Sequence, residues 1–340
     1  MTWSELDWKI LDRLREGFLG GAAAQGPYWK SEDDLAHYDL TYAERIGWKW
    51  DAVIRELRLR GWAPRGGTIL DWGCGSGVAS RRAIGAFGAA HFDSLLLWDH
   101  SSLAIDYAEN AATRAFPGLN IGSVTPGYLA SGGPIGLLVL SHVLNELSTG
   151  ALAQLRLLIL RSEAVLWVEA GTREVARGLQ VIRDELRDTF AVIAPCTHAL
   201  PCGLLAPGNE RHWCHFFAAP PSEIFANPGW VKFGQRAGID LRSLPYAFLA
   251  MEKKEAHAAR NFPPATDGLS RVIGRPAHFK PYARLLNCDS SGIAELTLLK
   301  RDDPALYKEL DRTKAPLVYR WKREANFIRS GSAGHGSAAK

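Results

Sequence analysis

No apolar run in these 340 residues approaches the roughly 18–20 that a helix needs to cross a bilayer, so no membrane partner is expected. The opening stretch MTWSELDWKILDRLREGF lacks the basic-then-apolar order of a secretory signal. Its Glu5, Asp7 and Asp12 are acids that an organelle transit peptide avoids. These absences give the expectation of a cytoplasmic, bacterial protein. Cysteine is scarce and odd in number, at five. In a reducing compartment such a set is better explained by metal binding or burial than by disulfides. There is no internal repeat. Apolar residues at 47% and charged residues at 22% are ordinary for a soluble folded chain, long enough for one large domain with additions or for two.

The net charge of +4 conceals an asymmetry. Residues 1–250 hold 23 Lys+Arg against 26 Asp+Glu, or −3, whereas residues 251–330 hold 16 against 10, or +6. An acidic polymer such as RNA is expected to meet that last quarter.

Hydrophobic periodicity over residues 2–18 and through AERIGWKWDAVIRELRLRG marks two helices, so residues 1–67 read as an N-terminal helical region. From Thr68 the texture changes to short apolar runs separated by helices: TILDWG, SLLLWDH, NIGSVT, IGLLVLSHV and AVLWVEAG. Runs without strict alternation at such spacing indicate a parallel sheet covered by helices, an α/β domain over residues 68–257. TREVARGLQVIRDELRDTF follows as a helix, and SLPYAFLAMEKK reads as a late strand of the same sheet. Between these two lies a Pro- and Gly-rich insertion at 194–216. Residues 258–330 form a small basic β region, with two strands joined by the turn CDSSG, and 331–340 is a low-complexity tail expected to be disordered.

TILDWGCGSG sets Gly73, Gly75 and Gly77 directly after a strand and before a helix, where only glycine lets the backbone turn sharply and approach a ligand. The loop lacks the Lys-Ser/Thr of a phosphate-binding P-loop and differs from the GxGxxG of dinucleotide folds. Asp71 ends the strand. Asp99 ends the next one, 22 residues past Gly77, where an acid that binds ribose hydroxyls belongs. S-adenosylmethionine is the ligand this pattern favours, and the form resembles class I methyltransferases with a Rossmann-like sheet. Cys74 reads as filling a small niche rather than as a ligand.

SHVLNELS, at the end of the fourth run, brings Ser141, His142, Asn145 and Glu146 toward the same pocket. It is not the Asn/Asp-Pro-Pro-aromatic motif that accepts an exocyclic amine, and no cysteine stands where a 5-methylcytosine enzyme has its nucleophile. Catalytic residues are therefore not assigned.

The segment APCTHALPCGLLAPGNERHWCHF, residues 194–216, holds Cys196, Cys202 and Cys214, and Cys288 lies in the C-terminal turn. Four thiolates suit zinc or an iron–sulfur cluster. Paired CxxC knuckles are absent, as is CxxxCxxC. His198, His212 and His215 are alternative ligands, so zinc held by three cysteines and one histidine stays open.

The order DWGCGSG, SHVLNELS, PCTHALPC, HWCHF and RPAHFKPYARLLNCDSSG with LTLLKRD resembles the small-ribosomal-subunit assembly family of methyltransferase-like proteins, typified by the mitochondrial methyltransferase-like protein seventeen and its bacterial relatives. The resemblance covers roughly residues 25–325 and is most specific in PCxHxLPC followed by WCHF. It implies a [4Fe-4S] cluster held by Cys196, Cys202, Cys214 and Cys288. It also implies association with small-subunit rRNA during assembly, and S-adenosylmethionine binding retained to a variable degree. The spacing from Cys202 to Cys214 is longer than the family's usual one.

In the last quarter, Arg275, Lys280, Arg284, Arg320, Lys322, Arg323 and Arg329 interleave with Phe279, Tyr282, Tyr319, Trp321 and Phe327. Such a mixture suits single-stranded or irregular RNA. The expectation is thus an iron–sulfur methyltransferase-like protein that binds small-subunit rRNA and acts in subunit assembly or rRNA methylation, with no DNA partner. The alternative is a small-molecule methyltransferase with structural zinc.

Overall fold

The computed structural model describes residues 1–20, 29–260, 268–311 and 317–334. In chain order, α1 (Trp8–Leu19), α2 (Glu32–Tyr38) and α3 (Glu44–Leu59) precede β1 (Gly67–Trp72), α4 (Val78–Phe87), β2 (Phe92–Trp98) and α5 (Ser102–Ala115). Next come β3 (Asn120–Ser123), α6 (Pro126–Ser131), β4 (Ile135–Ser141), α7 (Thr149–Arg161), β5 (Ser162–Ala170) and α8 (Arg173–Leu186). They are followed by β6 (Phe190–Ala194), β7 (Phe216–Ala218), α9 (Pro228–Ala237), β8 (Leu244–Lys253) and α10 (Lys254–Ala258). The chain ends in β9 (Leu269–Phe279), β10 (Tyr282–Asp289), β11 (Gly292–Leu299), α11 (Pro304–Leu310), β12 (Val318–Glu324) and β13 (Phe327–Ala333). These elements group into two compact units, one of Met1–Ile54, Ala63–Val168 and Pro220–Leu244, the other of Arg55–Trp62, Glu169–Ala219 and Pro245–Lys340.

In the first unit the five apolar runs are β1 to β5, hydrogen-bonded in the order β3-β2-β1-β4-β5 with every pairing parallel. Leu70, Leu95, Leu137, Val139 and Leu166 are wholly buried, as expected of strands without a solvent face. Strand order reverses direction between β1 and β4, and at such a switch point the carboxyl ends of the strands part to leave a crevice. The loops after β1, β2 and β4 all open there. α1 and α2 bring Leu14 and Leu35 into a cluster with Ala104 of α5, with Tyr38 and Tyr107 packed against it. The N-terminal helices thus belong to this unit's core.

In the second unit β8 pairs antiparallel with β6, and β7 also pairs with β8. The basic region is more than the two strands expected. β9 to β13 close into a barrel ordered β10-β11-β13-β12-β9, with β11 and β13 as its parallel pair. With α11 between the third and fourth strands, this is the connectivity of a five-stranded OB barrel. Closure removes the sheet edges that a two-stranded ribbon would leave unpaired. Along β10 the alternate residues Ala283, Leu285, Asn287 and Asp289 are buried, and Val272, Leu296, Leu298, Leu306, Tyr319 and Ile328 complete the interior. Each of the buried Val, Leu and Ile side chains contributes about 1.5–3 kcal/mol, whereas Asn287 and Asp289 are tolerated inside because they hydrogen-bond to each other and to Ser270. β13 reaches Ala333, so three residues of the segment expected to be disordered are strand; 335–340 lie outside the described residues.

Candidate functional site

Gly73, Gly75 and Gly77 all take positive φ, at 75°, 52° and 74°. Trp98 accepts from the N–H groups of Gly73 and Cys74 at 2.8 and 3.0 Å, which bends the loop back over the end of β2. Gly77 begins α4, and a Cβ there would meet that of Ala108 at 2.9 Å. Among the described residues a Cβ on Gly75 would meet nothing within 4 Å, so this glycine borders open space. The loop therefore makes a cradle whose middle residue faces a void.

Two carboxylates frame the loop. Asp71 is fully buried, and its Oδ2 accepts from Ser80 Oγ at 2.6 Å. Among the described residues its Oδ1 has no partner, nor has the buried Ser76 Oγ. Burial pushes the Asp71 carboxyl up to about 6, with Asp99 adding to the rise and Ser80 pulling against it. Asp99 spends both oxygens on backbone: Oδ2 accepts from Gly75 N–H at 2.9 Å and Oδ1 from Ser101 N–H at 3.0 Å. Asp99 thus holds the glycine loop, and each of its oxygens keeps a further lone pair for the ribose hydroxyls expected there. Cys74 is buried, which raises its thiol well above the usual range.

Ser141 and His142 do reach the same end of the sheet, and α3 engages both. Trp50 Nε1–H donates to Ser141 Oγ, and Lys49 Nζ donates to His142 Nε2, each at 3.0 Å. His142 sits in the left-handed region at φ 57°. Burial, then the charges of Lys49 and Arg45, push its pKa well below the usual imidazole range. Arg81 braces the opposite side, donating to the Gly77 and Ser76 carbonyls and pairing with Asp39 at 2.5 Å. Sequence reasoning missed Asp39, Lys49, Trp50 and Arg81. Their helices carry visible signals, but nothing in a helical pattern names the strand that each will face.

In the second unit Cys196, Cys202, Cys214 and Cys288 line one cavity of about 40 Å³, walled by Leu179, Phe248 and Ile273. Burial raises the thiols of Cys202, Cys214 and Cys288, and the neighbouring sulfurs add to the rise. Arg183, Arg271 and Gln180 line the same cavity, and among the described residues Arg183 Nε, Arg271 Nε and both polar atoms of Gln180 are buried without a partner. Among the described residues, no group of three or more His, Cys, Asp or Glu side chains is arranged to hold a metal ion. Of the three histidines, His198 Nε2 lies 3.7 Å from Cys288 Sγ. His212 instead accepts from Arg211, and His215 stacks on Trp213.

An irregular loop must find partners for its carbonyls, and α8 supplies them. Arg173 donates to Glu210 O, Arg177 to the carbonyls of Leu204, Asn209 and His212, and Arg183 to those of His198 and Leu200. Asp184 accepts from Cys202 N–H at 2.9 Å. Just past α3, Arg60 donates to the carbonyls of Ile193, Pro195 and Cys196. The spacing of Arg173, Arg177, Gln180 and Asp184 is that of one helix face, a polar stripe just before the cysteine segment that the sequence does display.

The basic residues and aromatics of the barrel divide. Phe279 and Phe327 are 40% and 45% exposed, whereas Tyr319 is wholly buried and Trp321 Nε1–H donates to the interior Asn287. Tyr319 and Trp321 therefore serve the barrel core and not a base-stacking surface, a correction to the expectation. Alternation places them inward because the β12 strand must fill a closed interior.

The family model described as mitochondrial small ribosomal subunit Rsm22 matches residues 59–314. The expectation of a cytoplasmic protein is corrected by this match, because the family is described as one of the mitochondrial small ribosomal subunit. A search of curated proteins finds no match. Among solved structures, the chain is similar to the magnesium protoporphyrin IX methyltransferase of Synechocystis PCC 6803, solved with bound S-adenosylmethionine, at 15% identity and TM-score 0.37, over 73% of this chain and 98% of that one. It is also similar to TrmK of M. capricolum, solved with S-adenosylhomocysteine, at 8% identity and TM-score 0.33, over 59% and 68%. A third is the ribosomal protein L11 methylase of Lactobacillus delbrueckii subsp. bulgaricus, at 16% identity and TM-score 0.34, over 59% and 77%.

Proposed function

This chain belongs to the mitochondrial small ribosomal subunit Rsm22 family, and on that premise we propose that it is a methyltransferase-fold factor of the small ribosomal subunit, binding S-adenosylmethionine in the glycine-loop cradle and rRNA through its basic barrel. The observation that carries the cofactor reading is the cradle itself: among the described residues Gly75 borders open space at the β1/β4 switch, and Asp71 Oδ1 and Ser76 Oγ are buried without a partner. A ligand with a cationic amino group and polar hydroxyls would satisfy such atoms. Ser141 and His142 are engaged by Trp50 and Lys49. That favours a binding and assembly role over methyl transfer.

The four cysteines support a [4Fe-4S] cluster as the group they would hold. Soft thiolates are its usual ligands, and sulfurs spread round a cavity, with unpaired donors of Gln180, Arg183 and Arg271 beside them, suit a polynuclear centre better than a lone zinc ion. Held so, Cys288 of β10 and the three cysteines of the 194–216 segment would tie the RNA-facing barrel to the α8 side of the unit.

Two measurements test the reading. Calorimetric titration of the full chain with S-adenosylmethionine should show binding that Gly75→Arg abolishes; no binding by the unaltered chain would refute the cofactor assignment. In the same variant, small-subunit assembly should persist, and loss of methylation at a specific rRNA nucleotide would replace the binding role with an enzymatic one. Anaerobically purified chain should be brown, with sulfur-to-iron charge transfer that Cys288→Ser removes. A colourless chain with about one zinc per molecule would exclude the cluster.

A further inference from the structure

We propose that the outer face of the barrel, at the end of β9 and β10 around Phe279 and Tyr282, is a stacking site for an unpaired strand of RNA. The identity of the polymer rests on the ribosomal reading above, and the location and strandedness come from the barrel itself.

Side chains of β10 that alternate with the buried ones point outward, and the register of the sheet fixes their neighbours. Cys288 pairs with Arg271 and Ile293 at one end of this face, Arg284 with Ala277 and Thr297 further along, and Tyr282 with Phe279 and Leu299 at the other end. The cysteine segment covers the first end, where a Cβ on Gly203 would lie 3.2 Å from Gly292 and Ile293. At the other end Phe279 is exposed among the described residues.

What stands there is a preformed stack. The rings of Phe279 and Tyr282 lie 4.7 Å apart at 24°, and the Arg284 guanidinium sits 5.4 Å from the Phe279 ring. Tyr307 Oη–H donates to the Phe279 carbonyl at 2.8 Å, which anchors the platform from α11. An exposed phenylalanine held in a stack loses little freedom when a base extends it. Beside it opens a recess of about 550 Å³ lined by Pro281, Leu299, Lys300, Arg301 and Pro304, apolar walls under two cations. Three cations stand at this end, Arg284 over the Phe279 ring and Lys300 and Arg301 lining the recess, with Arg284 paired to Glu295 and Arg301 to Asp302. In an RNA duplex the base faces are covered by their neighbours, so a protruding ring stack can be extended only by bases that are not paired. The outer face of the second and third strands of such barrels is also where the connectivity leaves room for a strand to lie.

The test uses the full chain and a fluorescent oligouridine of about eight nucleotides, the length such a barrel can span. Phe279→Ala and Tyr282→Ala should each weaken binding about 10-fold with unchanged thermal melting and unchanged salt dependence. Arg284→Ser should instead flatten the salt dependence by about 0.7 in log–log slope. A blunt RNA duplex bound as tightly as the single strand, or ring variants that bind like the unaltered chain, would overturn the proposal. Should a ring variant misfold, photocrosslinking of 4-thiouridine RNA to the unaltered chain decides: adducts on Phe279, Tyr282 or Arg284 support the site, and adducts confined elsewhere refute it. If oligonucleotide binding survives the ring variants while small-subunit particles are still bound, the stacking site fails and the ribosomal reading stands. If oligouridine is bound as proposed and the particles are not, the ribosomal reading fails alone.

Discussion

Lys49 Nζ donates to His142 Nε2 at 3.0 Å and so joins α3 to the end of β4 across 93 residues. A lysine that donates to an imidazole nitrogen requires that nitrogen to be unprotonated. Burial first, and then the positive charges of Lys49 and Arg45, keep His142 neutral well below its ordinary value of 6.5.

Since the folded chain takes up this proton only at lower pH than the unfolded chain, the contribution of His142 to stability is present above about 6.5 and is lost as pH falls toward the lower folded value. Lys49→Met should raise the His142 midpoint and flatten this acid-side loss. NMR titration of the His142 ring protons, with melting temperatures between pH 7 and 5, checks both. An unmoved midpoint would show that the lysine does not govern the histidine.

Asp71 carries the opposite sign. Its carboxyl is raised from 3.8 to about 6, so its contribution to stability is complete below 3.8 and is lost as pH rises through 6. Asp71→Asn should therefore stabilise the ligand-free chain at neutral pH relative to its effect near pH 4, by a difference on the order of 3 kcal/mol. The same variant should weaken S-adenosylmethionine binding and abolish the rise in affinity between pH 5 and 7 that ionisation of Asp71 gives. Paired denaturation and calorimetry experiments read the two effects separately.

The glycines of the cradle should differ in how they tolerate alanine. At Gly75 only the left-handed backbone resists, at a cost of about 1–3 kcal/mol. At Gly77 the added methyl also meets Ala108 at 2.9 Å. Gly77→Ala is expected to be the more destabilising in urea denaturation, and the reverse order would mean that the α4–α5 contact yields easily.

Glu56 is buried between two cations, ion-paired to Arg271 of β9 and to Arg60 at 2.8 Å, while Arg60 also holds the Cys196 carbonyl. Glu56→Gln leaves both guanidinium groups buried without a counter-charge, a loss of about 3–5 kcal/mol. Denaturant melts of the variant should show it, with faster exchange of the amides of Ile193, Ala194 and Cys196. A change below about 1 kcal/mol would mean that water or another anion takes over.

Much of this was legible along the chain. The five apolar runs became β1 to β5 because a strand buried on both faces must be apolar throughout, whatever surrounds it. The glycine triplet was legible because positive φ at three successive alternate positions leaves few other residues to choose from. The four cysteines were recognisable by type and order, but it was the family resemblance and not their spacing that grouped Cys288 with the other three.

What the one-dimensional pattern could not carry was partnership. β12 reads as a charged, aromatic stretch, and only closure of the barrel turns Tyr319 inward to the core and leaves Phe279 outside. Ser141, His142 and Asp99 were found as residues near a pocket, yet Trp50, Lys49 and the Gly75 amide decide what their polar atoms do. The turn of the glycine loop and the burial of β1 to β5 follow from local residue type, and the sequence by itself settled those for this protein. Hydrogen-bond partners, outward faces and buried counter-charges depend on segments tens to hundreds of residues apart, and only the tertiary structure could decide them.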